Sequence, residues 1–120
     1  DIGVTGVQTC ALPICVRAAE EKKSSDILVL DLRPATSFTD FFVLCNGNNQ
    51  RQCQAICDEV VTAMRERGER AISVEGYDNA EWILLDYGDI VVHIFTPQMR
   101  SFYDLERLWR DANPVAIPAP

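Results

Sequence analysis

Thiol and imidazole groups are the side chains of this sequence that first suggest a metal or redox centre. The chain has five cysteines and one histidine, His93. Cys53 and Cys57 are four positions apart, which places both thiols on one face of a helix. A structural zinc ion needs more ligands than this pair, and the Cys-x-x-Cys spacing of redox enzymes is absent. We therefore interpret both thiols as core residues and His93 as a half-buried strand residue with one hydrogen-bond partner.

The sequence also lacks the motifs of nucleotide-handling enzymes. Its six glycines form neither GxGxxG nor GxxxxGK followed by Ser or Thr, the loops that bind phosphates. Nucleotidyl transfer requires paired carboxylates that hold two metal ions, typically as Asp-x-Asp after a Gly-Ser turn. No two aspartates are two positions apart, no Gly-Ser dipeptide occurs, and Asp31 stands alone in an apolar run. The sequence therefore predicts no catalytic residue, no metal site and no cofactor.

Hydrophobic periodicity predicts the elements that must position the remaining side chains. Short apolar runs favour strands, and apolar residues at spacings of three and four favour helices. The predicted elements are a helix at 16–23, strands at 27–32 and 40–45, a helix at 49–67, strands at 71–74, 82–85 and 90–95, and a helix from residue 97. This order predicts an α/β or α+β domain in which helices cover a mixed sheet of about five strands. We expect the first two strands to pair as an antiparallel ribbon.

The two long helices have recognisable ends. Asn49 is the expected N-cap of the helix at 49–67, with Gln52 in a capping-box position, and Gly68 is the expected residue beyond its C-terminus. Its apolar stripe consists of Cys53, Ile56, Cys57, Val60 and Met64. Thr96 and Pro97 suit the N-cap and first position of the last helix. One face of that helix is expected to carry Phe102, Leu105 and Trp109.

The strand at 82–85 has two chemically different faces and continues into a hairpin turn at 86–89. Trp82, Leu84 and Asp86 share one face. The residues of the other face, Ile83, Leu85 and Tyr87, are expected to continue into a core. An indole with carboxylates nearby is typical of a hot spot that binds a basic protein surface. The alternative is that Trp82 packs beneath a helix, and the pattern alone leaves both open.

The acidic residues are concentrated around this hairpin. The formal net charge is −7, and residues 71–96 contain five acidic residues and no lysine or arginine. The five are Glu75, Asp78, Glu81, Asp86 and Asp89. Binding to a phosphate backbone depends on Lys and Arg, so this segment disfavours direct nucleic-acid readout and favours a basic protein partner. The alternative is that these carboxylates only keep the domain soluble.

The length of 120 residues suits a single domain, and both ends of the chain are expected to lie outside it. Residues 1–14 have no amphipathic period and resemble the translation of a sequencing adapter, so we interpret them as a non-native leader. The domain is then 15–113, followed by a flexible, proline-rich tail at 114–120. No membrane span or secretion signal is recognised, and the odd number of cysteines favours reduced thiols. We expect a bacterial cytoplasmic protein.

Three motifs stand in order along the second half of the chain. They are VEGY at 74–77, WILLDYGDIVVHIF at 82–95 and FYDLERLW at 102–109. Earlier segments fit the same pattern, namely AAEEKK at 18–23, SFTDFF at 37–42 and NG at 46–47. Together these motifs resemble the ribosomal silencing factor family (RsfS, also called Iojap), over about residues 16–113. The departure from the family pattern is at residues 1–14, which stand where a helix start is expected.

The resemblance implies a fold related to nucleotidyltransferases without their catalytic carboxylates, and a protein that is not an enzyme. Members of the family bind a basic protein of the large ribosomal subunit, the fourteenth in the standard naming, at the intersubunit face. They thereby block association with the small subunit and repress translation, and they are commonly dimeric when free. Carried onto this sequence, the partner-binding residues are Trp82, Leu84, Asp86, Tyr87 and Asp89.

Two alternatives to the silencing function are expected to be separable only by experiment. A large-subunit assembly factor would share the partner and differ in the time of action. A residual nucleotidyltransferase-like enzyme would share the fold, and the missing Asp-x-Asp argues against it. The contribution of Arg100 and Tyr103 to the interface is left open by the sequence.

Overall fold

The computed structural model describes residues 6–115, with the backbone alone for residues 6–10. The helices are α1 (Gly6–Glu21), α2 (Gln50–Glu66), α3 (Pro97–Tyr103) and α4 (Leu105–Leu108). The strands are β1 (Ser25–Asp31), β2 (Phe41–Asn46), β3 (Ser73–Glu75), β4 (Trp82–Asp86), β5 (Ile90–Phe95) and β6 (Asn113–Pro114). The α+β class with a mixed sheet is confirmed, and the short strand β6 adds to the strands that were expected.

The sheet joins two hairpins side by side. Its strand order is β3-β4-β5-β2-β1-β6. The predicted antiparallel pairing of β1 with β2 is confirmed, and β4 pairs antiparallel with β5 across the predicted turn. At the centre β2 runs parallel to β5, with Phe41 opposite Ile90 and Asn46 opposite Phe95. As a result β4 lies one strand from the β3 edge of the sheet.

Each face of the sheet supports its own core, because side chains alternate along every strand. We call the cluster between the sheet and helices α1 and α2 the first core; it includes Val43, Ile56, Leu85 and Ile94. We call the cluster on the opposite face, covered by α4 and its flanking residues, the second core. The second core consists of Leu30, Leu32, Phe42, Leu44, Val91, Phe95, Leu105 and Ala112. No helix within residues 6–115 has the length and apolar character needed to cross a bilayer.

Helix α1 begins earlier than the sequence predicted, since its helical residues start at Gly6 rather than at 16. Ala11 and Leu12 lie in the segment interpreted as a leader, yet both are buried in the first core. Pro13 is inside the helix, where a proline costs about 3 kcal/mol relative to alanine. Burial of apolar side chains against α2 offsets that cost. The glycines and the proline of this segment therefore gave a wrong expectation, because the local sequence does not show the contact with α2.

Helix α2 confirms the predicted caps. The Asn49 side chain accepts a hydrogen bond from the Gln52 backbone N–H over 2.8 Å. Gln52 Oε1 accepts from the N–H of Asn48 rather than from that of Asn49, so the capping box is shifted by one residue. Gly68 follows the helix with φ +83°, and the Gly68 and Glu69 N–H groups donate to carbonyls of the last turn. The predicted apolar stripe of α2 is buried throughout.

The last predicted helix is broken into two, which corrects the expectation of one continuous face. Thr96 is the N-cap position and Pro97 the first residue of α3, as predicted. Asp104 then adopts a left-handed backbone with φ 48°, and α4 starts at Leu105. The break turns Leu105 into the second core and leaves Phe102 exposed over 75% of its surface.

The expected tail at 114–120 begins inside the fold. Pro114 belongs to β6 and pairs with Leu30 of β1. The Val115 N–H donates to the Val29 carbonyl over 2.8 Å. These first tail residues are therefore tied to the sheet, and the rest of the predicted tail, 116–120, lies outside the described residues.

Candidate functional site

The side chains of β4 alternate between the first core and the opposite face as predicted. Ile83 and Leu85 are fully buried in the first core. Trp82 and Leu84 are half-buried and pack against the second core, and Asp86 is also half-buried. The structure therefore places the predicted site residues Trp82, Leu84 and Asp86 on one face, where they remain partly accessible.

The Trp82 ring is held on several sides. Its Nε1–H donates to Nδ1 of His93 over 3.1 Å. The ring stacks on Phe95, with 5.3 Å between centroids, and contacts the Tyr103 ring with 4.5 Å between centroids. The expectation that Trp82 packs beneath a helix is confirmed in part, because α3 covers one portion of the indole and leaves another portion accessible.

Leu84 lies between an acidic edge and the histidine. The strand register places Glu75 of β3 opposite Leu84 on one side and His93 of β5 opposite it on the other. Directly opposed residues of neighbouring strands share a face and approach closely. Glu75 is exposed, so an apolar side chain is bordered by a solvated carboxylate.

Asp86 has a structural contact as well as a place on this face. Its Oδ1 accepts a hydrogen bond from the Gly88 N–H over 2.8 Å and so stabilises the turn between β4 and β5. Gly88 adopts φ +87°, which favours glycine at this position of the turn. A substitution at Asp86 therefore changes both the surface charge and the turn unless the acceptor is retained.

The other two predicted site residues do not share this face. Tyr87 packs against the first core on the opposite side of the sheet, and its burial raises the pKa of the phenol to about 12. Asp89 is exposed at the hairpin turn, and its carbonyl accepts hydrogen bonds from the N–H groups of Asp40 and Phe41. The geometry thus groups Trp82 with Leu84 and Asp86, places Asp89 at the end of the hairpin, and separates Tyr87 from them.

Two aromatic residues that were not predicted as site residues lie next to Trp82 or its neighbour. Tyr103 contacts Trp82 and is 41% exposed, and Phe102 contacts the Tyr103 ring edge-on with 5.0 Å between centroids. The break at Asp104 leaves both rings outside the core, and the sequence analysis did not predict this break. We call the residues Trp82, Leu84, Glu75, Asp86, Phe102 and Tyr103 the Trp82 surface.

Arg100 anchors helix α3, which carries Phe102 and Tyr103. Its guanidinium bonds Glu106 Oε2 over 3.0 Å, Asn46 Oδ1 over 2.9 Å, and the backbone carbonyl of Asp26. The Arg100 side chain is only 11% exposed. It therefore fixes α3, which carries Tyr103, to β2 and to the start of β1.

His93 is more deeply buried than predicted, with 3% of its surface exposed. Desolvation lowers its pKa to about 4, so the ring is neutral at physiological pH. The Trp82 indole can only donate, so Nδ1 of His93 is the acceptor and Nε2 carries the proton. That Nε2–H is buried and has no hydrogen-bond partner among the described residues.

The other side chains that could react or bind a metal are buried or are held in contacts within the fold. Burial raises the pKa of the Cys45 and Cys57 thiols to about 12, which removes the reactive thiolate at neutral pH. Asp31 pairs with Arg33 over 2.7 Å, and this contact lowers the pKa of the carboxyl group. Within the described part of the chain, no group of three or more His, Cys, Asp or Glu side chains is arranged to hold a metal ion.

The structure is thus a small α+β domain in which partly accessible aromatic residues are bordered by carboxylates. The sequence matches the family described as "Ribosomal silencing factor during starvation" over residues 8–119. The chain therefore belongs to the ribosomal silencing factor family.

Individual relatives agree with the family match. The chain is 42% identical to ribosomal silencing factor RsfS of Bacillus subtilis over 105 residues, which cover 88% of this chain and 89% of that protein. A crystal structure of a Chromobacterium violaceum protein superposes with a TM-score of 0.82 at 32% identity, covering 91% of this chain and 88% of that one. The mouse protein named "Mitochondrial assembly of ribosomal large subunit protein 1" is 29% identical, covering 82% of this chain and 44% of its own length.

Proposed function

We propose that this protein silences ribosomes by binding the large subunit through the Trp82 surface and sterically blocking association with the small subunit. Its contact there is a basic ribosomal protein, the fourteenth of the large subunit, at the intersubunit face. The observation that carries the proposal is the pairing of half-buried Trp82 and Leu84 with carboxylates in a segment, 71–96, that has no lysine or arginine.

The chemistry of the surface suits a basic partner. Trp82, Leu84 and Tyr103 supply apolar area that can be buried, and aromatic residues are enriched among those that dominate binding energy. Glu75 and Asp86 border this area by strand register, and Asp89 stands at the end of the hairpin. Such a carboxylate rim attracts Lys and Arg side chains and raises the encounter rate, with an effect that salt weakens.

Steric blocking requires no catalytic group, in agreement with the structural surroundings of Asp31 and the cysteines. The names of the relatives support a regulatory role, since RsfS of Bacillus subtilis is called a ribosomal silencing factor. We propose that the chain acts in this way without a cofactor and without direct readout of ribosomal RNA.

Co-sedimentation with separated bacterial ribosomal subunits tests the proposal. The full chain is expected to pellet with large subunits and not with small subunits, and to lower the yield of joined ribosomes when both are mixed. An exposed charge reversal on α1, Glu20→Lys, is the control and should pellet as the wild type does. Pelleting of the folded wild-type chain with neither subunit would contradict the proposed function.

A role in large-subunit assembly is the second candidate, because the mouse relative carries that name. It uses the same partner and differs in the particles on which the protein acts. Addition of the protein to mature large subunits separates the two functions. Blocked joining of mature subunits supports silencing, whereas association with immature particles alone supports assembly.

A further inference from the structure

His93 occupies the centre of the second face of β5, directly opposite Leu84 of β4. It is buried, it makes one side-chain hydrogen bond, and that bond goes to the indole of Trp82. The bond spans two neighbouring strands and ends on the residue that we place at the centre of the partner surface. The hydrogen bond therefore links a buried core residue directly to the Trp82 surface.

We propose that His93 is a positioning residue for partner recognition: its Nδ1 fixes the Trp82 indole in the orientation that the ribosomal protein contacts. The inference rests on the proposed function, because it assigns a role within the same surface. The hydrogen bond acts before binding occurs, so that the accessible portion of the indole is already in place.

The surroundings of His93 restrain its own ring. Phe42 contacts the imidazole edge-on, with 4.5 Å between centroids, and Phe95 lies parallel to it within 10° at 6.0 Å. The imidazole therefore cannot turn without displacing residues of the second core. Because a hydrogen bond is directional, an acceptor held in a fixed orientation restrains its donor, which here is Nε1–H of Trp82.

Restraint of Trp82 has a measurable value for binding. A side chain that is mobile in the free protein loses rotamer freedom when it is immobilised in an interface, and this loss opposes binding. Phe95 and Tyr103 pack against the indole, and such ring contacts restrain its orientation less strictly than a directional bond does. The directional hydrogen bond from Nε1–H to His93 supplies that stricter restraint.

A matched pair of variants separates positioning from packing. Asn and Leu side chains have the same number of heavy atoms and the same branch at Cγ, and the Asn Oδ1 atom stands where His Nδ1 stands, one bond beyond Cγ. His93→Asn therefore keeps an acceptor for Trp82, whereas His93→Leu removes that acceptor and leaves the Trp82 indole N–H without its partner. Both variants lose the imidazole ring and its contacts with Phe42 and Phe95.

The experiment measures the affinity of wild type, His93→Asn and His93→Leu for bacterial large subunits, together with their thermal unfolding. We expect His93→Leu to bind about fivefold to tenfold more weakly, the value of one ordinary hydrogen bond. His93→Asn should bind within about twofold of wild type by the same reasoning. His93→Leu should nevertheless be at least as stable as His93→Asn, because its side chain is apolar in a buried site.

Two further outcomes decide the mechanism. In a Trp82→Ala background His93→Leu should cause no additional loss of affinity, since the group that it positions is gone. In the free protein the indole N–H resonance of Trp82, identified by its absence from the Trp82→Ala spectrum, should move in His93→Leu and stay near its wild-type position in His93→Asn.

Equal affinities of the two His93 variants would overturn the inference, whether both match wild type or both are weakened alike. An undiminished effect of His93→Leu in the Trp82→Ala background would overturn it as well. Failure of the wild-type chain to bind large subunits is a different result, because it contradicts the proposed function itself.

Discussion

Arg100 and Glu106 form an ion pair of 3.0 Å across the break between α3 and α4. The two residues lie on different helices because Asp104 adopts a left-handed backbone between them. Arg100 also bonds Asn46, so the same guanidinium ties both short helices to β2. Neither helix is long enough to be stable alone, and this contact holds them on the sheet.

We expect Arg100→Ala to lower the free energy of unfolding by about 2–3 kcal/mol, since it leaves polar partners of a nearly buried charge unpaired. Urea denaturation measures the change. Arg107→Ala is the matched control, because Arg107 is exposed on α4 and should change stability by less than about 0.5 kcal/mol. Equal losses in the two variants would contradict the role given to Arg100.

Removal of the indole should weaken binding to the large subunit more than any charge change. We expect Trp82→Ala to raise the Kd at least about thirtyfold, which corresponds to about 2 kcal/mol for loss of an aromatic anchor. Co-sedimentation at several protein concentrations measures it. A folded Trp82→Ala protein that binds as tightly as wild type would remove Trp82 from the interface.

The charge of Asp86 can be tested apart from its turn contact. Asp86→Asn keeps an oxygen that accepts from the Gly88 N–H, whereas Asp86→Lys removes that acceptor and reverses the charge. We expect both variants to bind the basic partner more weakly, with the larger loss for Lys, and both losses to shrink at high salt. Unfolding measurements on Asp86→Lys report the separate cost of the lost turn contact. An Asp86→Asn protein with wild-type affinity at low salt would contradict an electrostatic role.

Leu12 should contribute strongly to stability although it lies in the segment interpreted as a leader. The side chain is 4% exposed in the first core, and truncation of a buried leucine costs about 2–5 kcal/mol. We expect Leu12→Ala to lower the free energy of unfolding by about 3 kcal/mol and exposed Arg17→Ala to change it little. Similar unfolding midpoints for both variants would show that α1 does not dock before residue 16. The non-native origin of residues 1–14 stays a prediction.

Mild acid should destabilise the protein through His93. Its folded pKa is about 4 and its ordinary value 6.5, so between these pH values the unfolded chain binds a proton that the folded protein does not. Stability is therefore retained above pH 6.5 and falls towards pH 4, by about 3 kcal/mol over the whole window. Denaturation of wild type and His93→Leu at both ends of the window measures this difference. Parallel losses in the two proteins would assign the acid sensitivity to carboxylates instead.

The sequence predicted correctly those features that depend on residues close to each other in the chain, namely helix ends and the alternation of strand side chains. Asn49 and Gly68 mark the ends of α2 because capping groups act within one turn of the helix. The alternation of β4 predicted which side chains share a face, since a strand has a period of two residues. Trp82, Leu84 and Asp86 were grouped correctly for the same reason.

Features that depend on distant contacts were missed. Asp104 is neither glycine nor proline, and although aspartate tolerates a left-handed backbone, the residue type alone does not predict a break. Burial of Leu105 in the second core and the Arg100–Glu106 pair accompany the break. Tyr103 joined the site only because of that break. Tyr87 was included among the partner-binding residues through the family resemblance, and the structure places it against the first core, as the strand alternation predicted.

The parallel junction of β2 with β5 joins parts of the chain that are distant in sequence. The strands of each hairpin are near neighbours in sequence, whereas Cys45 and His93 meet across the junction from positions 48 residues apart. Closing so long a loop costs chain entropy, so we expect the hairpins to form first and the junction to close in the slow step. Pulsed hydrogen exchange during refolding should then detect protection of the amides that hydrogen-bond between β4 and β5 before protection of those that hydrogen-bond between β2 and β5. Since Trp82 and His93 belong to one hairpin, we expect the indole and the imidazole that accepts its hydrogen bond to become neighbours before the rest of the sheet is complete.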